Sequence, residues 1–358
     1  MIGRLRTRLL WIGCLPLVMS VGGCATIGPR TVPRDRFDYT QAVSQSWFEQ
    51  ILANIVRIRY ADAPTFLDVG QIVSSYELRR EGSVAADLYV DPASPDTFAG
   101  ARAGAGFIDR PTITYQPLTG EKLAKMLLAP VPHYSLIYLV RAGYDAEAIL
   151  LLYLRSFNGQ RNPIVADAAA SEHALFLRTV ALLRQLQAGN AFDVRWSQTG
   201  TVDAFVFATH ADRPDLAAEL DELRTLLRLG SEQAEVKVRS GLLPGAPGDI
   251  SLFTNSVLQV MFVLSQSVDV PQKDIDVGLA SAAQMVGGSA SRPTVSVKTS
   301  DSPPTAAFVS VRYAGHWFYI DARDLRSKST FSSLSVIMRL LESGPPGQVP
   351  LLTIPTGS

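Results

Sequence analysis

Apolar residues recur at helical spacing over residues 39–60: Val43, Trp47, Ile51, Ile55 and Ile58, with Phe48, Leu52 and Val56 beside them. A stripe this wide predicts an amphipathic helix whose apolar side is core. Asp38 and Gln41 make a variant capping box at its start, and Pro64 fixes its end. Residues 65–90 read as one or two strands. Residues 91–106, rich in Pro, Gly and Ala, read as a mobile hairpin loop, and Pro111–Tyr115 as a strand. Residues 119–156 read as short helices, opened by Thr119, broken by Pro130 and Pro132 and interrupted by Gly143. Ser171 caps a further helix with Leu175, Val180, Leu183 and Leu186 inward, stopped by Gly189-Asn190.

Period-two alternation then takes over. Phe192, Val194 and Trp196 alternate with Asp193, Arg195 and Ser197, and residues 202–208 form a more continuous apolar run. Asp212 and Pro214 open a helix with Leu216, Leu220, Leu223 and Leu227 inward, ended by Gly230. Ala234, Val236 and Val238 alternate with Glu235, Lys237 and Arg239. Residues 241–250 are a Gly/Pro loop. Val257–Leu264 is too short to span a bilayer and reads as a buried helix. Residues 269–293 read as a long mobile loop. A strand begins at Val295 and Val297, Phe308–Tyr313 and His316–Ile320 form a hairpin across Ala314-Gly315, and a last helix covers 330–342. The order predicts an α+β fold: a helical N-terminal part packed with a mixed, mainly antiparallel sheet carrying helices on one face.

The N-terminus has a different pattern. Arg4, Arg6 and Arg8 precede thirteen mostly apolar residues, 9–21, which suit the core of a signal peptide and are short for a membrane span of about 20 residues. Val21-Gly22-Gly23-Cys24 follows. This run resembles the lipobox of bacterial lipoproteins, with an aliphatic residue, two small residues and the modified cysteine. Leu is commoner at the position of Val21. The competing reading, an uncleaved anchor helix, suits the short apolar run less well. The resemblance implies cleavage before Cys24, with Val21, Gly22 and Gly23 as the signal-peptidase recognition residues. It also implies a diacylglycerol on the Cys24 thiol, and so a membrane partner through lipid. Ala25, in place of an inner-membrane retention Asp, implies the periplasmic face of the outer membrane.

The division expected is therefore a signal peptide over 1–23, a lipidated tether over 24–36, an α-rich part over 37–160 and an α+β part over 161–358. The last two could form one continuous globule. Two prolines and a glycine in the tether discourage helix there. Its Arg30, Arg34 and Arg36 suit either a solvated linker or contact with anionic headgroups.

Composition narrows the function classes. The chain has 358 residues, 47% of them apolar, enough for a sizeable core. Without residues 1–23 it has 30 basic and 33 acidic residues, so no basic field points to nucleic acid. Cys14 leaves with the signal peptide, and Cys24 alone can form neither an internal disulfide nor a zinc site of several cysteines.

Candidate chemistry is sparse. His133, His173, His210 and His316 have no metal-binding spacing, and there is no nucleophile elbow, so neither metal nor cofactor is expected. The loop Gly100–Gly106 lacks the following helix that a phosphate site needs. The densest polar segment contains His316, Asp321, Arg323 and Asp324. These side chains suit an acid–base site, but equally helix capping and ion pairing. This segment, with its Ser327-Lys-Ser-Thr-Phe331 helix start, and the Arg59-Tyr-Ala-Asp-Ala-Pro64 end of the first helix, look like those of uncharacterised bacterial outer-membrane lipoproteins. The expectation is a lipid-anchored binding or assembly module with an envelope protein partner. The alternatives are an envelope hydrolase using the Asp321/Asp324 region and a carrier for an apolar ligand.

Overall fold

Helix α1 (Val32–Arg59) is 28 residues long, about 42 Å. It starts seven residues ahead of the predicted position because Pro33 falls in the first turn, where a missing N–H breaks no helical bond. Its N-terminal half is exposed, with Phe37 68% accessible, and burial begins at Trp47. The computed structural model describes residues 32–73, 76–84, 101–109, 112–163, 170–196, 202–208, 211–230, 233, 235–243, 246–280 and 295–342. Val21, Gly22, Gly23, Cys24, most of the expected tether and His210 lie outside them.

After α1 the chain forms a two-stranded ribbon. Strand β1 (Leu67–Val73) pairs antiparallel with β4 (Thr112–Pro117), and β2 (Tyr76–Val84) with β3 (Ala101–Asp109). Residues 101–106 were expected to lie in a loop. They are a strand because Ala101–Asp109 pair rung for rung with Val84–Tyr76, a partner that an Ala/Gly-rich run does not advertise.

Helices α2 (Gly120–Leu128), α3 (His133–Arg141) and α4 (Ala146–Tyr153) follow. Asp145 caps α4 by accepting the Ala148 N–H. The helical pattern was expected to run to 156. It stops at Tyr153, because β5 (Leu154–Phe157) is claimed by antiparallel pairing with β10 (Ile250–Thr254). Asn158 and Gly159, at φ 47° and 81°, turn β5 back into β6 (Gln160–Arg161), the positive φ pair that a tight hairpin turn requires. Helix α5 (Ala170–Ala188) buries Phe176, Val180, Leu183 and Leu186, while Leu175, expected inside, is 44% exposed.

The main sheet has the order β6-β5-β10-β9-β8-β7, with β7 (Phe192–Trp196), β8 (Val202–Phe207) and β9 (Glu235–Ser240). Only β9–β10 is parallel. Helix α6 (Ala217–Leu227) packs on α5 and ends at Arg228, which holds φ 57°. Helix α7 (Val257–Ser265) is a helix as expected, buries Val257, Val260, Met261 and Leu264 while Phe262 is 51% exposed, and begins with a capping box between Ser256 and Gln259. Short α8 (Gln272–Asp276) lies within the expected loop 269–293.

A second sheet has the order β11-β13-β12, with β11 (Lys298–Ser300), β12 (Ala307–Tyr313) and β13 (His316–Asp321). Helix α9 (Leu325–Glu342) closes the fold. The fold class is α+β. One hydrophobic cluster runs from Trp47 to Met338, so α1 and the C-terminal part share a core. The apolar void between Leu136, Leu150, Phe157, Leu183 and Phe205 is about 20 Å³, room for a single water and not for a carried ligand. Among the described residues, no helix is long and apolar enough to cross a membrane.

Candidate functional site

The sequence candidates separate in space. His316 and Asp321 sit at opposite ends of β13, roughly 17 Å apart along the strand. The Asp321 carboxylate accepts the Arg323 backbone N–H at 3.0 Å and the Lys298 ammonium at 3.1 Å. Those two contacts hold its carboxyl below the usual range, and the same pair raises Lys298. Asp324 accepts the Ser327 backbone N–H at 3.0 Å and the Ser327 hydroxyl at 2.6 Å, which caps α9. Arg323 is exposed. The segment thus performs capping and ion pairing, and its geometry lends nothing to a hydrolase.

His316 instead joins residues that the sequence does not associate. Its Nδ1 lies 2.8 Å from Asp301 and its Nε2 3.9 Å from Asp274. The Tyr60 hydroxyl donates to Asp274 at 2.6 Å, and Tyr313 donates to Asp62. Tyr60 packs edge-on against Tyr313 and Phe318 at 5.3 and 6.0 Å. Burial, and then the neighbouring Asp274, push the Tyr60 phenol up. Asp274 is only 5% exposed, so this carboxylate is closed to a substrate. The cluster latches the end of α1 to α8 and to the β12–β13 hairpin. Tyr60 and Asp62 belong to the Arg59–Pro64 segment singled out in the sequence, but their partners lie over 200 positions away. Among the described residues, no group of three or more His, Cys, Asp and Glu side chains is placed to hold a metal.

The most distinctive surface is the ribbon. Its base is clamped to α1. Asn54, 1% exposed, donates to the Thr65 carbonyl at 2.7 Å and accepts the Thr65 N–H at 2.8 Å. Gln50 makes the same two-way contact with Leu67, and Lys122 pairs with Asp68 at 3.1 Å. Beyond this base no third strand joins the ribbon among the described residues. Every residue of β4 is exposed, including Ile113 and Tyr115 at 39% and 58%, and Leu67 opposite Pro117 is 49% exposed. Ile113 faces Ile72 in the register and Tyr115 faces Val69.

No family model, curated protein or solved structure matches the chain.

Proposed function

We propose that the chain is a lipid-anchored envelope protein, held through Cys24 at the periplasmic face of the outer membrane. There it serves as a binding or assembly module whose contact element is the ribbon β1–β4. The observation that carries the binding role is the ribbon with both faces of β4 exposed and no third strand among the described residues. An isolated two-stranded ribbon is marginal in water, and exposed apolar side chains gathered on one element mark a partner surface. The rigid clamp at Asn54 and Gln50 supports this role, because a held contact strand loses less entropy on binding than a free one. The anchor rests on the Val21-Gly22-Gly23-Cys24 motif and its signal-like flank.

The experiment places a photo-crosslinking amino acid at Ile113 or Tyr115, and at Leu243 as an exposed control, in the full chain in native membranes. A discrete protein adduct from the ribbon positions and none from Leu243 is the expected result. Equal labelling from all three, or none from the ribbon, refutes the binding role. Mass spectrometry of the N-terminal peptide decides the anchor separately: an unlipidated Cys24 sinks it.

A further inference from the structure

Strand β2 (Tyr76–Val84) pairs rung for rung with β3 along one edge. Its other edge has no partner among the described residues. The nine residues of β2 make that edge about 30 Å long, a template for a further strand. A ribbon of two strands is marginal by itself, and additional strands stabilise it.

The charge order along β2 says what fits there. In Tyr76-Glu-Leu-Arg-Arg-Glu81, residues Glu77, Arg79 and Glu81 fall on one face of the ribbon and Tyr76, Leu78 and Arg80 on the other. Charged residues on an edge strand ordinarily keep other chains away. A second copy of β2, antiparallel and related by a two-fold axis, must centre on a residue for its faces to match, because a one-residue slip turns them over. Centring on Glu77, Arg79, Arg80 or Glu81 sets that residue against its own copy, like charge against like. Centring on Leu78 avoids every such clash. Leu78 then meets Leu78, Glu77 of each copy lies level with Arg79 of the other, and Tyr76 lies level with Arg80. By symmetry the last two pairings each occur twice. Opposite charges directly across an antiparallel pair stabilise it, and like charges destabilise it.

We infer that the partner on this edge is a second copy of the chain, joined β2 to β2 about a two-fold axis at Leu78 into a four-stranded sheet β3-β2-β2-β3. Such a contact is isologous, the commonest arrangement of homo-oligomers. The inference rests on the contact role of the ribbon and names its partner.

The test uses the full chain, in native membranes and in detergent. Residues directly opposite in an antiparallel pair have Cα atoms about 4.5–5.5 Å apart, within disulfide reach. Under mild oxidation Leu78→Cys should therefore give about tenfold more disulfide-linked dimer than Ser83→Cys, whose copies lie roughly 34 Å apart in this register. The parent, with Cys14 and Cys24 alone, sets the background. Without oxidation, Glu77→Arg or Arg79→Glu should each weaken dimerisation about tenfold in sedimentation equilibrium. The double reversal should restore it, a rescue that a folding defect would not show. A dimer linked equally well through Ser83→Cys, or a double reversal as weak as the single ones, overturns the proposal. A chain that stays monomeric at about 100 μM, while a crosslinker at Tyr115 still captures a different protein, overturns self-pairing and leaves the contact role of the ribbon standing. Neither dimer nor adduct overturns both.

Discussion

Tyr60 and Asp274 are joined by a 2.6 Å hydrogen bond across 214 positions of sequence. The bond satisfies a buried carboxylate and fixes the end of α1 against α8. Tyr60→Phe keeps the ring contacts with Tyr313 and Phe318 but removes the donor. It should cost about 1.5–3 kcal/mol in urea denaturation, the range for a hydrogen bond to a charged group. Asp274→Asn, which retains an acceptor oxygen for the phenol, should cost less. Equal stability of Tyr60→Phe and the parent would mean that solvent replaces the bond.

Asn54 makes a second prediction, on the ribbon. Its amide satisfies both backbone groups of Thr65 from a fully buried position. Asn54→Leu keeps the branched shape but leaves the Thr65 groups to find water. A loss of roughly 2 kcal/mol is expected, with faster amide exchange along β1 and β4 than elsewhere. Exchange that rises uniformly through the protein would show that Asn54 supports the core and does not clamp the ribbon.

These two contacts also show where sequence reading stops. The β12–β13 hairpin was legible because alternation and Ala314-Gly315 are local signals, and α7 because an eight-residue apolar run is interpretable by itself. Strand β3 was not, since Ala and Gly carry no alternation and its partner lies beyond the 85–100 segment. Strand β10 was missed because five residues are too few to show a period, and its place in the sheet is set by β5 and β9. Asp321 and Asp324 were visible as polar residues. Whether they catalyse or cap depended on Lys298 and Ser327, and only the folded geometry supplies those distances.

The third prediction concerns pH. The Arg323 N–H and Lys298 depress Asp321 in the folded state, so its contribution is present above the unfolded carboxyl pKa of about 3.9 and is lost as pH falls through the lower, folded value. Asp321→Asn should therefore lower the urea midpoint at pH 6. The gap to the parent should narrow below about pH 4 and close under strong acid. High salt should narrow it at pH 6 too, because the pair with Lys298 is solvent-exposed. A gap that is constant with pH would assign the effect to the amide's geometry and not to charge.

Ala314 holds φ 46° beside Gly315 at φ 90° in the β12–β13 turn. A Cβ in this left-handed region costs about 1 kcal/mol, and glycine relieves it. Ala314→Gly should raise stability by a few tenths to about 1 kcal/mol, the added unfolded-state entropy offsetting part of the gain. Thermal melting with the parent as reference decides it, and a decrease would mean that the alanine methyl packs against a neighbour.

Helix α1 makes the last prediction, because its two halves sit in different surroundings. Arg36, Phe37, Asp38, Gln41, Gln45 and Ser46 are exposed, while Ile51, Leu52, Ile55 and Val56 are fully buried. Proline inside a helix costs about 3 kcal/mol or more wherever it falls, but that cost reaches the global fold only where the helix is packed. Gln41→Pro should leave the main melting transition in place and open residues 32–46 to protease. Ala53→Pro should lower the melting temperature sharply or prevent folding. With a lipid on Cys24, the exposed half would act as a spacer of about 20 Å at 1.5 Å per residue, holding the globule and its ribbon off the membrane. A half rich in Arg, Asp, Gln and Ser suits that role better than lying along the lipid surface. If Gln41→Pro instead shifts the global melt as far as Ala53→Pro, the exposed half is integral to the core and the spacer reading fails.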